Sequence, residues 1–104
     1  CSCARSVCGI SSAGEVFPCI GAPIPSGNLR SKSFADIWKN SEVLQGIRNL
    51  KPVDFKSCST CEHINYCNRS SGSIYTNTKN YTGCDSITLE QAKSRQEFAL
   101  EKNL

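Results

Sequence analysis

The chain lacks several features that mark common classes of protein. No apolar run approaches the roughly 18 residues of a membrane-spanning helix, so we expect no membrane partner. The net charge of +3 is too small to indicate a nucleic-acid partner. Signal peptide, internal repeat and low-complexity tract are all missing. Methionine is absent as well, and because the chain begins at Cys1 we expect it to be excised from a longer protein.

Hydrophobic residues are also scarce, which limits the core. They make up 38% of the 104 residues, below the average for globular domains. A domain of this length buries only about two-thirds of its unfolded surface. The eight cysteines therefore indicate cross-links, either disulfides or metal centres. We predict a small α+β domain stapled by metal.

The cysteines form two groups of four, separated by a cysteine-free stretch. The first group is Cys1, Cys3, Cys8 and Cys19, and the second is Cys58, Cys61, Cys67 and Cys84. Cys58 and Cys61 are separated by two residues, so one tight turn can present both thiols to a single metal centre. Four thiolates suit either tetrahedral zinc or an iron–sulfur cluster. We interpret the layout as two metal centres that bracket a helical segment.

Other interpretations of these residues remain open. Eight cysteines could pair as disulfides, although the spacing of Cys58 and Cys61 favours metal. His63, the only histidine, could replace a thiolate at a zinc site, but we interpret it as an exposed polar residue of its loop. Cys19 could be a small buried hydrophobe, although three further thiols nearby favour a ligand role.

The first group of cysteines, within residues 1–20, accompanies a predicted β-hairpin. Two short apolar runs, residues 7–11 and 16–20, flank a glycine-containing turn. Pro18 has no amide hydrogen, so we expect it at an edge or at the end of a strand. Cys19 is then expected across the hairpin from Cys8.

A helical segment is predicted over residues 33–51, after a loop at residues 21–32 that is rich in glycine, proline and serine. Ser33 is a suitable N-cap, and the apolar residues after it recur at helical spacing. Ser41 interrupts this pattern and can cap a second helix. The segment ends before Pro52.

The remaining residues predict a cysteine-rich loop region over 57–84 and a C-terminal helix over 88–102. The loop region has few large apolar residues, so its order depends on its cross-links. Thr88 and Gln91 match a capping box at the start of the helix. Its apolar face carries Leu89, Ala92 and Phe98.

The order of these motifs resembles the SPASM domain, the C-terminal auxiliary-cluster region of many radical S-adenosylmethionine (SAM) enzymes. Cys3 followed by Gly14-Glu-Val-Phe-Pro-Cys19 is similar to the opening of that domain, and residues 27–38 resemble its linker and helix. The second group of cysteines resembles its later block and final ligand. The resemblance covers nearly the whole chain and is closest in style to maturases of ribosomally made peptides and of anaerobic sulfatases.

The resemblance implies two [4Fe–4S] clusters. The second cluster would take all four cysteines of the second group, and the first would take Cys3, Cys8 and Cys19. The family's fourth ligand to the first cluster falls at Ser71, which departs from the pattern. Either Cys1 replaces the missing thiolate or one iron stays open, since serine oxygen is a weak ligand here.

The resemblance also implies a function. No three cysteines have the three-and-two spacing of a radical SAM cluster, so the chain should not cleave SAM alone. Residues 1–104 would form a single auxiliary domain, in cis with a SAM-binding barrel, in a cytoplasmic enzyme that modifies a peptide or protein. The domain would transfer electrons, close the active site or bind the substrate. The alternative is a non-catalytic binding module stapled by zinc or disulfides, and zinc could also occupy the sites of the isolated domain.

Overall fold

The N-terminal unit, up to Lys51, begins with a three-stranded antiparallel sheet in the computed structural model, which describes residues 3–103. Its strands, in the order β1-β2-β3, are β1 Gly9–Ile10, β2 Glu15–Phe17 and β3 Gly27–Asn28. Strand β1 pairs with β2 as the hairpin pattern predicts, and Pro18 directly follows β2. Strand β3 lies inside the predicted loop, so that expectation was wrong. Glycine and asparagine have low strand propensity, and they form a strand here because β2 offers an unpaired edge.

Two short helices complete this unit, and their serine caps confirm the predicted start of each helix. Helix α1 is Phe34–Asn40 and α2 is Glu42–Arg48, so the helical segment ends three residues earlier than residue 51. The hydroxyl of Ser33 accepts a hydrogen bond from the amide of Asp36 (3.2 Å). Ser41 ends α1 and caps α2, as expected.

The core of the N-terminal unit joins the sheet to these helices. Val16 on β2, Ile37 on α1 and Leu44 on α2 are at most 2% exposed. Gly27 packs so closely that a Cβ atom there would lie 2.9 Å from Cγ1 and Cγ2 of Ile37. The strand that the sequence failed to predict therefore contacts the core helix directly.

The C-terminal unit, from Pro52, consists of short helices in the described residues. They are a 3-10 helix at Pro52–Asp54, α3 Lys56–Ser59, a 3-10 helix at Ile64–Tyr66, α4 Ser71–Thr78 and α5 Ser86–Glu101. The expectation of a loop over residues 57–84 was therefore wrong for much of that segment. Helix α4 forms because Ser70 caps its amides and Ile74, fully buried, anchors it.

Helix α5 is the predicted C-terminal helix, but it begins earlier and has a different cap. The carboxylate of Asp85 accepts a hydrogen bond from the amide of Thr88 (2.7 Å), so Asp85 is the N-cap and Thr88 lies inside the helix. Ala92 and Ala99 form its buried positions. Phe98 is 56% exposed, contrary to the expected apolar face.

The fold class agrees with the expectation of a small α+β protein, with five α-helices and one small sheet in residues 3–103. None of the helices in that range is long and apolar enough to cross a bilayer.

Candidate metal centres

The first group of cysteines lies where the N-terminal segment meets the sheet. The amide of Ala4 donates to the carbonyl of Pro18 (2.9 Å) and also lies 3.1 Å from the carbonyl of Val7. These hydrogen bonds hold Cys3, which is 3% exposed, beside the segment that carries Cys19. Backbone contacts thus bring together two cysteines that are 16 positions apart in the sequence.

A second close approach brings Cys8 to the same place. A Cβ atom on Gly9 would lie 3.3 Å from the carbonyl carbon and oxygen of Cys19, so the absence of a side chain lets the two segments pass closely. The strand register pairs Gly9 with Phe17, which leaves Cys8 and Cys19 just beyond the ladder. The expected pairing across the hairpin is therefore off by one residue. Cys1, the expected fourth ligand, lies outside the described residues.

Short helices and turns position the second group of cysteines. Cys58 is on α3, and its carbonyl accepts a hydrogen bond from the amide of Cys61 (3.2 Å). Cys67 ends the second 3-10 helix, where its amide donates to Ile64 (3.3 Å). Cys84 is exposed and immediately precedes the cap of α5. The turn between Cys58 and Cys61 is the one that their spacing predicts.

The thiol of Cys67 is influenced by its burial and by the charges of the other cysteines in the second group. Burial raises the pKa of the Cys67 thiol, and the negative charges of Cys58, Cys84 and Cys61 raise it further, while Arg95 opposes them. A metal ligand must be a thiolate, so metal binding releases the proton that this raised pKa retains. We therefore expect affinity for metal to weaken as the pH falls.

The spacing of these thiols differs from that of a single-ion site. Within residues 3–103, no three cysteine, histidine or acidic side chains are close enough together to hold one metal ion. Zinc needs all of its ligands at about 2.0–2.3 Å. A cubane cluster separates its four thiolates more widely, because each thiolate binds a different iron atom.

His63 is a structural residue rather than an exposed one, which corrects the sequence interpretation. Its side chain is 15% exposed and contacts Gln96 on α5 through Nδ1. Its Nε2 atom lies 3.3 Å from the carboxylate of Glu62. With both ring nitrogens engaged, His63 fixes the loop between Cys61 and Cys67 to α5.

Arg69 organises the end of the second group of cysteines, a role that no pattern in the sequence indicated. Its Nη2 atom donates to the carbonyls of Tyr81 (2.5 Å) and Gly83 (2.8 Å), and its guanidinium carbon lies 4.7 Å from the ring centroid of Phe55. Its Nη1 atom donates to the hydroxyl of Ser71, which is 2% exposed. The oxygen of Ser71 is therefore engaged by a cation, which disfavours it as a metal ligand.

Arg48 has a similar position near the first group of cysteines. Its Nε atom donates to the carbonyl of Ala4 and its Nη1 atom to that of Trp38, both at 2.6 Å. The guanidinium carbon lies 4.5 Å from the ring centroid of Trp38. These contacts join α1 and α2 to the residue that follows Cys3. Sequence spacing could not reveal them, because Arg48 and Ala4 are 44 positions apart.

Comparison with known proteins gives the class of this chain. The SPASM family, described as an iron–sulfur cluster-binding domain, matches residues 1–62. That range is more than half of the chain and includes the first group of cysteines together with Cys58 and Cys61. The chain belongs to the SPASM family of iron–sulfur cluster-binding domains.

Its relatives are larger proteins named AdoMet-dependent heme synthase. One from Methanosarcina barkeri is 36% identical over 74 residues, which cover 71% of this chain and 21% of the relative. Another, from Oleidesulfovibrio alaskensis, is 38% identical over 60 residues, or 58% of this chain and 15% of the relative. The chain thus spans about a fifth or less of the length of these relatives. No solved structure matches.

Proposed function

We propose that this chain is the auxiliary [4Fe–4S]-cluster domain of a radical SAM enzyme and that residues 1–104 form one such domain. The observation that carries the proposal is the match of residues 1–62 to an iron–sulfur cluster-binding family, together with the turn that holds Cys58 and Cys61 next to each other. The names of the relatives, which specify dependence on AdoMet, support a parent enzyme that uses SAM.

The proposed ligands follow the two groups of cysteines. The second cluster takes Cys58, Cys61, Cys67 and Cys84. The first takes Cys3, Cys8 and Cys19, and Cys1 completes it. The contact of Arg69 with the hydroxyl of Ser71 supports a thiolate rather than serine as the fourth ligand.

Bound clusters would supply sites for one-electron transfer, with potentials set by charge, hydrogen bonds and solvent exposure. The residues of the chain control that environment. Cys3 is shielded from water and Cys84 is exposed, while the other described cysteines of both groups are half-buried. Passing electrons to or from a reaction centre, together with contact to substrate, is the role that we propose.

The barrel that binds SAM would lie in cis, because this chain has no triplet of cysteines with radical SAM spacing. The parent enzyme is proposed to be cytoplasmic, since iron–sulfur ligands must remain reduced thiols and disulfides are rare in that compartment.

The substrate class is the most specific part of the proposal. The relatives named heme synthases favour a parent that takes part in heme synthesis. A peptide or protein substrate stays a prediction from the motif resemblance. Incubating the complete enzyme with SAM, reductant and either a heme precursor or a candidate peptide separates the two, because heme formation is read by its absorption and peptide modification by a mass change. Peptide modification without heme formation would overturn the heme proposal.

Spectroscopy tests the cluster assignment itself. Protein purified and reconstituted without oxygen should be brown, and dithionite should bleach its visible absorption and produce a low-temperature electron paramagnetic resonance signal. A zinc-stapled module would be colourless and release zinc to a chelator, and a disulfide-stapled one would contain no metal. Either result after reconstitution would contradict the proposal.

A further inference from the structure

Two half-buried arginines share an unusual feature. Arg48 in the N-terminal unit and Arg69 in the C-terminal unit each stack on an aromatic ring and donate to backbone carbonyls. Each also has one buried nitrogen without a hydrogen-bond partner among residues 3–103, namely Nη2 of Arg48 and Nε of Arg69. Leaving a charged donor buried and unpaired is costly, so such an atom indicates an acceptor that the protein chain does not provide.

The backbone contacts join each guanidinium to a residue that is next to a cysteine in the sequence. Arg48 bonds to the carbonyl of Ala4, the residue after Cys3. Arg69 is two residues after Cys67 and bonds to the carbonyl of Gly83, the residue before Cys84. The two arginines therefore have equivalent positions, one at each group of cysteines, although nothing in their sequence surroundings is alike.

We infer that Arg48, through Nη2, and Arg69, through Nε, each donate an N–H to sulfur of the cluster in their own unit and raise its reduction potential. This inference rests on the proposed function. Cluster sulfide and cysteine sulfur carry negative charge and accept hydrogen bonds. One-electron reduction adds negative charge to the cluster, so a nearby cation that donates a hydrogen bond stabilises the reduced state more than the oxidised state. Removing it should lower the potential.

The test is a potentiometric titration of the full 104-residue chain, reconstituted without oxygen and reduced stepwise with dithionite. The variants are Arg48→Gln and Arg69→Gln, each serving as the control for the cluster of the other unit. Arg30→Gln, at an exposed position, is the control for a general loss of charge. A Cys67→Ala background, which should lack the second cluster, assigns the two midpoints.

Each glutamine variant should change the equilibrium constant of reduction of one cluster about tenfold, which corresponds to about 59 mV for one electron. Arg48→Gln should lower only the first midpoint and Arg69→Gln only the second. Unchanged midpoints at full iron content would overturn the inference, and so would equal shifts of both midpoints. If the wild-type chain took up no iron, the proposed function itself would fail.

Lysine variants keep the inference testable where a glutamine variant loses its cluster. Lysine keeps the positive charge but lacks the planar guanidinium group. It therefore cannot donate hydrogen bonds to the backbone carbonyl and to the sulfur with the same geometry. A cluster retained at a lower midpoint in Arg48→Lys or Arg69→Lys would support the inference. A retained cluster with an unchanged midpoint, or loss of the cluster from both substitutions at one site, would leave only a structural role and overturn it.

Discussion

In the N-terminal unit the cysteines lie beside a small sheet and are held by backbone contacts, whereas in the C-terminal unit they lie at the ends of short helices. The amide of Ala4 and the close approach at Gly9 fix the first group. The second group depends on side chains, chiefly Arg69 and His63. A group held by backbone hydrogen bonds between distant residues should keep its arrangement without metal more readily than a group held by side chains. The comparison teaches that two cysteine sites of the same kind can be organised in different ways, one mainly by backbone contacts and the other mainly by side chains.

The largest effect should come from Cys67→Ala. Loss of one thiolate should remove the second cluster and about half of the iron, or about four atoms per chain. Ser57→Ala, at an exposed position beside Cys58, is the matched control and should keep all of the iron. In the complete enzyme, Cys67→Ala should also abolish substrate turnover and leave SAM cleavage partly intact. Wild-type iron content in Cys67→Ala would disprove its role as a ligand.

The next largest effect concerns the fourth ligand of the first cluster. Cys1→Ala should lower the iron content of the first cluster, because a thiolate is lost. Ser71→Ala should leave it unchanged, since the hydroxyl of Ser71 contacts Arg69. Iron and sulfide analysis of the two variants decides between them. An iron loss confined to Ser71→Ala would show that the serine is the ligand.

Metal removal tests the comparison directly. Anaerobic chelation should raise amide hydrogen exchange more over residues 57–84 than over residues 3–28, because side chains rather than backbone bonds between distant residues hold the second group. Mass spectrometry measures the exchange of both segments, with α1 as an internal reference, and gives the ratio of the two increases. Equal protection loss in the two segments would remove the distinction between them.

Gly27→Ala should destabilise the N-terminal unit. A Cβ atom at Gly27 would meet the buried side chain of Ile37, and overpacking of this kind costs about 1–3 kcal/mol in the free energy of unfolding. Gly46→Ala is the control, because a Cβ atom at that exposed helical position has no neighbour within 4 Å. It should stabilise α2 by about 0.5–1 kcal/mol. Urea unfolding measures both, and equal effects would show that the sheet does not depend on this contact.

The smallest effect concerns Asp85, the cap next to Cys84. Hydrogen bonds from Asn77 and then Thr88 hold the pKa of its carboxyl below the ordinary value of 3.8. A lowered folded pKa adds stability above the unfolded pKa, and this stability is lost as the pH falls through the folded value. Asp85→Ala should cost about 1 kcal/mol at neutral pH.

The variant Asp85→Asn separates the effect of the negative charge on stability from the effect of the helix cap. Asparagine caps helices well, so this variant should retain α5 at neutral pH and lose less stability on acidification than the wild type. Thermal unfolding between neutral and acid pH measures the difference, with exposed Glu97→Gln as the control. An identical acid dependence in Asp85→Asn and the wild type would exclude a role for the Asp85 charge.

Local signals in the sequence predicted the parts of the fold that depend on neighbouring residues. The hairpin follows from its turn, and the helix starts after Ser33 and Ser41 follow from serine side chains that cap amides three positions away. Strand β3 and helix α4 were missed because their residues have weak propensity and form structure through β2 and the buried Ile74.

In the candidate site too, the sequence predicted the features that depend on neighbouring residues and missed those that depend on distant ones. The short spacing of Cys58 and Cys61 predicted their shared turn, which the structure contains. The roles of Arg48, Arg69 and His63 depend on partners 10 to 44 positions away, which spacing does not reveal. The full set of cluster ligands stays a prediction.

The most direct test of the account is the iron, sulfide and zinc content per chain, measured after purification and reconstitution without oxygen. Two [4Fe–4S] clusters predict about eight irons with equal sulfide and no zinc. Zinc bound at the cysteines with no iron, even after reconstitution, would contradict the account.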